Sequence, residues 1–301
     1  MREIAGEIAL LGDSDDQFLT DICNMLKAKS LPASIIKFSE EELPIKTKYR
    51  VLVDRASYAG DSFVRTMVKS HSLRGTYVIN NPFSNICDDK VVEFNICSKL
   101  GIPYPRTVVL PKMNPEETGD QVSYPNLDAS LSRLKFPIVL KPHDGYAWDY
   151  VSVANNLDEA KRIYESQKGQ MVLIAQEMIT PKTYYRVYYF SKREPLFVRY
   201  LPQERRYITS DYSDIKGVMR QIKDYMVRLN TALDYDINAC EWAVDANDSV
   251  FLIDAFNETP ELGPNVLPKE YYDIILERFL GLVIDKFQSK QVNNLPFLYS
   301  P

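Results

Sequence analysis

The chain has 301 residues, 45% of them hydrophobic and 12% aromatic, so it can bury a sizeable core and is neither disordered nor fibrous. Its formal net charge of -5 is spread over both halves, whereas nucleic-acid binding needs a concentrated basic face, so we expect no nucleic-acid partner. The apolar runs are too short for a signal peptide or a membrane span, which predicts a soluble cytoplasmic protein without a membrane partner.

The four cysteines lie far apart in the sequence and form no C-x-x-C motif. They are Cys23, Cys87, Cys97 and Cys240. Because only two histidines are available to join them, we expect reduced, buried thiols and no zinc site.

Strands and helices alternate through the first hundred residues. Apolar runs that predict strands occupy residues 6–12, 33–38, 49–57 and 76–82. A helix is predicted after the first run, where apolar residues recur at helical spacing behind a capping Ser14 or Asp15. Those apolar residues are Phe18, Ile22, Met25 and Leu26. The alternation predicts a parallel α/β arrangement.

A second helix is predicted in residues 84–105, where Gly101 and Pro103 end it. The apolar residues spaced for one face of this helix are Ile86, Val92, Ile96 and Leu100. This helix closes a predicted N-terminal α/β domain over residues 1–105.

Beyond residue 105 we predict two α+β lobes, a central lobe over 106–180 and a C-terminal lobe over 181–301. Strands are predicted in residues 106–111, 136–142, 150–154 and 171–179, with helices in 127–134, 157–167, 213–236 and 271–288. Two hairpins are predicted, one over 184–202 and one over 238–257. The helix over 271–288 is apolar enough to form either core or the interface of a homodimer.

The second predicted hairpin contains acidic residues among buried types, in the stretch NACEWAVDANDSVFLIDAFNETPE. If its turn is Asn247-Asp248, Glu241 stands directly opposite Asp254. Facing carboxylates repel each other unless a cation lies between them. Together with Asn257 they offer only oxygen ligands, which favours Mg²⁺ or Mn²⁺. Since Asp254 and Asn257 are three residues apart, a bulge or strand end must bring both to one metal.

The first predicted hairpin has the opposite charge. If SKRE is a four-residue loop, Arg186 faces Arg199, and two facing guanidinium groups favour a phosphate or carboxylate. A metal site beside an anion site is what a nucleoside triphosphate requires. In another register, the charged residues of either hairpin would lie at strand ends in solvent.

Lys141 ends the apolar strand IVLK, before the loop PHDGYAW, and a lysine there is costly unless it meets a negative charge. Neither a P-loop nor a Rossmann fingerprint is present. Six segments follow one another along the chain: INNPFSNICDDKVVEFNICSKLGIPYPRTVVLP, FPIVLKPHDGYAW, VLIAQEMI, YYRVYYF, FVRYLP and CEWAVDANDSVFLIDAFNETP. In these segments and their order, over roughly residues 78–265, the chain resembles the ATP-grasp superfamily, in the carboxylate-amine ligase branch with glutathione synthetases, D-alanine-D-alanine ligases and ribosomal-protein glutamate ligases.

The resemblance implies an ATP-grasp fold and a role for each matching residue. Lys90 and Lys141 would hold the ATP phosphates, and the metal ligands would be Glu241, Asp254 and Asn257. Arg186 and Arg199 would bind the γ-phosphate and the transferring group. The remaining nucleotide contacts would be the phosphate-covering loop, with His143, Gly145 and Trp148, and the adenine hinge of Gln176, Glu177, Met178 and Ile179.

The implied reaction is ligation of a small carboxylate and an amine, such as an amino acid or short peptide, through an acyl phosphate, with ATP and Mg²⁺ or Mn²⁺. Three alternatives stay open at this point. They are a small-molecule kinase on the same fold, a regulatory protein that binds ATP without turnover, and an α/β binding domain without nucleotide.

Overall fold

The computed structural model describes residues 6–57, 62–84, 89–114, 116, 119–144, 149–202, 204, 206–209, 216–255 and 257–295. The chain divides into two compact units. The first comprises Met1–Asn85, Tyr185–Cys240 and Asn257–Pro301, and the second comprises Ile86–Tyr184 and Glu241–Phe256. The predicted boundaries at residues 105 and 180 stay a prediction.

The strands, in chain order, are β1 (Glu7–Leu11), β2 (Ala33–Ile36), β3 (Tyr49–Asp54), β4 (Tyr77–Ile79), β5 (Thr107–Leu110), β6 (Ile138–Pro142), β7 (Ser152–Ala154), β8 (Leu173–Glu177), β9 (Thr183–Phe190), β10 (Leu196–Leu201), β11 (Arg206–Ile208), β12 (Ile237–Val244) and β13 (Val250–Asp254). The helices are α1 (Gln17–Ala28), α2 (Ser62–Leu73), α3 (Lys90–Lys99), α4 (Leu127–Leu131), α5 (Leu157–Gln167), α6 (Lys216–Leu233) and α7 (Lys269–Ser289). None of the helices in the described part of the chain is both long and apolar enough to cross a membrane.

A parallel sheet with the order β2-β1-β3-β4 lies in the first unit, which confirms the parallel arrangement predicted for the start of the chain. Its central strands are apolar on both faces, as expected for a sheet covered on both sides. One face packs against α1 and α7, where the rings of Phe18 and Phe279 meet edge to face at 5.1 Å. Helix α7 is therefore part of this core, with buried residues such as Ile275 and Val283.

The cap of α1 differs from the prediction. Asp16, rather than Ser14 or Asp15, precedes the helix, and its carboxylate accepts the Leu19 N–H at 3.1 Å. The same carboxylate also pairs with Arg55 at 2.8 Å, and both side chains are largely buried. Asp16 is thus held from two sides, which favours it over its neighbours as the cap.

Helix α2 was missed by sequence analysis. Its buried face is short and half polar, since it consists of Met67, Val68, His71 and Ser72. Such a face lacks the apolar periodicity by which an amphipathic helix is recognised.

The second unit contains an antiparallel sheet with the order β5-β8-β6-β7. Helices α4 and α5 cover one face, with Leu131 and Tyr164 buried against Leu140 and Leu173. Residues of the other face include Lys141 and Gln176, because side chains alternate along each strand.

Helix α3 buries Glu93, Phe94 and Cys97. The predicted face was wrong, since Val92, Ile96 and Leu100 are only partly buried and Ile86 lies outside the described residues. A third sheet has the order β11-β10-β9-β12-β13 and contains both predicted hairpins.

Candidate active site

The acidic hairpin of β12 and β13 places Glu241 directly opposite Asp254, as predicted. The turn differs from the prediction, because Asp245 N–H bonds the Ser249 carbonyl and leaves a three-residue loop. That loop shifts the register by one residue, and a bulge beside Glu241 shifts it back. The two carboxylates face each other because these two shifts cancel.

Lys90 is the first residue of α3 and lies beside this carboxylate pair. Its Nζ is 3.7 Å from Asp254 Oδ2, and only 12% of its side chain is exposed. Asp89 caps the helix by accepting the Val91 N–H at 2.8 Å, which fixes where Lys90 begins the first turn. Burial alone would lower the pKa of Lys90, but Asp254, Glu93 and Glu241 together raise it, so this lysine stays charged.

Lys141 approaches the same hairpin from β6. Its Nζ donates to the Ile253 carbonyl at 3.4 Å. Ile253 is the extra residue of the bulge, so the lysine meets a carbonyl at the irregular point of the strand pair. Burial lowers the pKa of Lys141, and the charge of Lys90 adds to this effect while Asp254 opposes it.

Glu93 is a third carboxylate at this place. Its side chain is 1% exposed and accepts the Ala255 N–H at the end of β13. Burial and the charge of Asp254 raise the pKa of Glu93 well above its ordinary value, although Lys90 and Lys141 oppose them. The buried carboxyl therefore favours its protonated form.

His143 links the loop after β6 to the start of α3. Its carbonyl accepts the Lys90 N–H at 2.9 Å, and its ring Nδ1 lies 3.3 Å from Asp89 Oδ1. These contacts hold the ends of the two lysine-bearing elements together. The predicted covering residues Gly145 and Trp148 lie outside the described residues.

The predicted adenine hinge lies at the end of β8. Gln176 is buried and donates to Thr107 Oγ1 at 2.9 Å. The N–H groups of Glu177 and Met178 already bond the carbonyls of Arg106 and Pro137. An adenine would thus have to use other backbone groups of the hinge, such as those of Ile179.

The predicted pairing of Arg186 with Arg199 was wrong. Arg186 stands opposite Val198, and Arg199 opposite Tyr185, one residue away from the predicted register. A one-residue slip turns a side chain to the other face of the sheet, so the two guanidinium groups point in opposite directions.

Arg186 contacts a cluster of aromatic side chains in the first unit. Its Nη1 donates to the Tyr207 hydroxyl at 2.6 Å, and its guanidinium lies 5.5 Å from the ring centre of Tyr200. Arg199 lies on the opposite face and is partly buried. The roles predicted for both arginines stay predictions.

Asn257 belongs to the first unit, whereas Glu241 and Asp254 belong to the second. Its N–H donates to the Asn238 side chain at 2.9 Å, and its carbonyl accepts the Ala239 N–H at 3.0 Å. These bonds fix its backbone beside β12. Its role as a metal ligand stays a prediction.

Comparison by sequence finds no matching protein-family model and no matching curated protein. Comparison of structures gives a different result. D-alanine-D-alanine ligase from Bacillus anthracis, complexed with ATP, matches with a TM-score of 0.68 and 16% identity over 95% of this chain and 98% of the ligase chain. A RimK domain ATP-grasp protein from Sphaerobacter thermophilus matches with a TM-score of 0.66 and 16% identity over 93% and 99%. The ATP-grasp ligase PsnB, complexed with precursor peptide PsnA2 and AMPPNP, matches with a TM-score of 0.65 and 17% identity over 96% and 99%.

This chain has the ATP-grasp fold.

In this ATP-grasp chain, the carboxylate pair is compatible with a metal that binds together with a nucleotide. The described residues contain no group of three or more His, Cys, Asp or Glu side chains placed to hold a metal. Mg²⁺, however, is commonly held by one or two carboxylates, while substrate phosphates and water complete its octahedron. Glu241 and Asp254 fit that pattern, since they face each other and both are oxygen donors.

Sequence analysis of this ATP-grasp chain missed two residues of the site, Glu93 and Tyr184. Glu93 follows Lys90 by one helical turn, a spacing that places both on one side of α3. Tyr184 is one of four tyrosines in β9, and its hydroxyl donates to Glu241 Oε2. A signal for Glu93 existed in that spacing, whereas none distinguished Tyr184 from the tyrosines around it.

Proposed function

We propose that this protein is an ATP-dependent ligase that joins a carboxylate to an amine through an acyl phosphate. The fold supports the nucleotide part, since two structural neighbours are ligases complexed with ATP or AMPPNP. One observation in this chain carries the proposal further. Lys90 and Lys141 come from different elements and approach the same end of a hairpin that holds two facing carboxylates.

The charges of this site support binding of a metal-nucleotide complex. Lys90 is charged beside Asp254, while the pKa of Lys141 is lowered because it is buried. A phosphate beside Lys141 would restore its charge and receive a hydrogen bond from it. Bound Mg²⁺ would supply charge neutralisation at the phosphate oxygens, with Glu241 and Asp254 as its protein ligands.

In the proposed reaction, an oxygen of the substrate carboxylate attacks the γ-phosphorus of ATP. The bond from that phosphorus to the bridging oxygen breaks, and ADP leaves. An amine then attacks the acyl carbon, phosphate leaves, and the amine loses a proton as the amide forms. Such chemistry asks the protein mainly for positioning and charge stabilisation.

Of the two arginines, we assign contact with the transferring group to Arg186, which lies two residues after Tyr184 on β9 and so shares the face from which Tyr184 donates to Glu241. Because Arg186 and Arg199 lie on opposite faces of their sheet, they cannot act as one pair. Arg186 also contacts Tyr200 and Tyr207, which hold its guanidinium in place. The sequence prediction gave both arginines to the γ-phosphate and the transferring group, and the role of Arg199 stays a prediction.

The substrates we propose are a small carboxylate and an amine, such as an amino acid or a short peptide. The neighbours named above include a D-alanine-D-alanine ligase and a ligase complexed with a precursor peptide. The homodimer stays a prediction, and α7 does not support it as an interface because its apolar residues lie in the core of the first unit.

The test is ADP release from Mg-ATP with pooled carboxylates and hydroxylamine, which converts an acyl phosphate to a hydroxamate. We expect hydroxamate in one pool, and none from Asp254→Asn, whose thermal unfolding should match that of the parent protein. Asp248→Asn is the matched control, since Asp248 lies in the loop of the same hairpin and its carboxylate pairs with Lys182 at the surface.

Unfolding of Asp254→Asn at low temperature would show that the residue is structural. ADP release with phosphorylation of a hydroxyl compound and no hydroxamate would favour a kinase instead. Tight Mg-ATP binding without turnover would favour a regulatory nucleotide-binding protein, and no nucleotide binding would refute the proposal.

A further inference from the structure

Tyr184 is a buried tyrosine of β9 whose hydroxyl donates to Glu241 Oε2. Both residues belong to the second unit. Strand β12, which carries Glu241, lies between β9 and β13 in the sheet. Glu241 therefore has Tyr184 on one side and the facing carboxylate of Asp254 on the other.

The chemistry of the tyrosine hydroxyl suits a carboxylate that must bind a cation. A glutamate side chain has several rotatable bonds, and repulsion from Asp254 drives it towards rotamers that point away. A hydrogen bond from a neutral hydroxyl to a charged oxygen holds one rotamer without cancelling the negative charge. A lysine in place of Tyr184 would also fix the rotamer of Glu241, but its positive charge would neutralise the carboxylate and so disfavour a bound cation.

Burial strengthens this effect. Tyr184 is 8% exposed, so its hydroxyl has little access to water, and Glu241 offers it a charge-assisted hydrogen bond. Outer-shell partners of this kind orient ligands in metal sites generally, and their loss costs roughly 10–100-fold in metal affinity.

We propose that Tyr184 is a positioning residue, which fixes the rotamer of Glu241 for binding of a divalent cation. The inference rests on the proposed function, because that function supplies the reason for a cation at Glu241. In this proposal Tyr184 acts through Glu241 and thereby sets the affinity of the site for the metal.

The test uses Tyr184→Phe in the full chain, with Mn²⁺ as the probe and free Mn²⁺ measured by electron paramagnetic resonance at saturating ADP. We expect Mn²⁺ to bind about 10–100-fold more weakly to the variant than to the parent protein. Tyr164→Phe is the matched control, since its hydroxyl bonds the Pro111 carbonyl in the same unit and touches neither carboxylate of the pair. It should leave Mn²⁺ affinity unchanged.

A double-mutant cycle separates positioning from a general structural role. If Tyr184 acts through Glu241, Tyr184→Phe changes Mn²⁺ affinity little when Glu241→Gln is already present. An equal loss in both backgrounds would overturn the inference, as would an unchanged affinity in Tyr184→Phe. If the parent protein itself binds no Mn²⁺ with ADP, the proposed function fails, and this inference fails with it.

Discussion

Replacing Glu93 with Gln tests whether the buried carboxyl at the centre of the site is neutral. The side chain is 1% exposed and accepts the Ala255 N–H. Burial raises its pKa well above the ordinary value, and the nearby charge of Asp254 acts in the same direction. Glutamine keeps an oxygen that can accept the same N–H, but it cannot ionise.

The sign of the effect follows from the raised pKa. A carboxyl whose pKa is higher in the folded protein binds more protons when folded than when unfolded, so its contribution to stability is complete at pH values below the ordinary pKa of about 4.5. That contribution is lost as the pH rises towards the folded pKa, by up to about 1.4 kcal/mol for each pH unit. Glutamine has no such dependence.

We therefore expect Glu93→Gln to gain stability over the parent protein as the pH rises from about 5 to the folded pKa of Glu93, with a slope of up to ~1.4 kcal/mol per pH unit. The assay is urea unfolding at several pH values. Glu93→Leu lacks an acceptor for the buried N–H and should lose about 1–3 kcal/mol relative to Gln at every pH. Glu277→Gln, on an exposed position of α7, controls for the loss of one negative charge.

The opposite result would refute this reasoning. If Glu93→Gln became less stable than the parent protein as the pH rose, the carboxylate would be charged in the folded state. It would then act as a counter-ion of Lys90 and Lys141, and the cluster would need no metal or nucleotide to balance its lysines.

Two further predictions concern Lys141 and Arg55. Burial lowers the pKa of Lys141, and a bound phosphate would raise it again. Binding of Mg-ADP should therefore take up protons at pH values between the free and bound pKa of Lys141, as measured by calorimetry in buffers of different ionisation enthalpy. Lys141→Gln should lack this uptake, and proton release by the parent protein would contradict the placement of phosphate beside Lys141. Arg55→Met breaks a largely buried pair with Asp16 and should cost about 3–5 kcal/mol in chemical unfolding, whereas Arg206→Met, in an exposed pair, should cost about 0–1 kcal/mol. Equal losses of stability in the two variants would contradict the view that burial determines how much each ion pair contributes to the free energy of unfolding.

The sequence predicted much of the fold, because most strands and helices are long enough to show a clear periodicity of apolar residues. The parallel pairing of β1 with β2 follows from the helix α1 that joins them. Helix α2 escaped prediction because tertiary burial of His71 and Ser72 is invisible in a local pattern.

Strand register was the least predictable feature of the site. For β9 and β10 the assumed register was wrong by one residue, since Arg186 pairs with Val198, and Lys192 in the connecting loop has a positive φ of 63°. For β12 and β13 the assumed turn was also wrong, but the bulge beside Glu241 restored the predicted pairing. Bulges and residues in the left-handed conformation depend on the packing of the whole sheet, so the local sequence pattern does not predict them.

The most direct test of the account is a crystal structure with Mn²⁺ and AMPPNP, in which anomalous scattering locates the metal. The account predicts Mn²⁺ within about 2.5 Å of oxygens from both Glu241 and Asp254, with the phosphates of AMPPNP beside Lys90 and Lys141. A metal that touches neither carboxylate, or a nucleotide bound away from the two lysines, would contradict it.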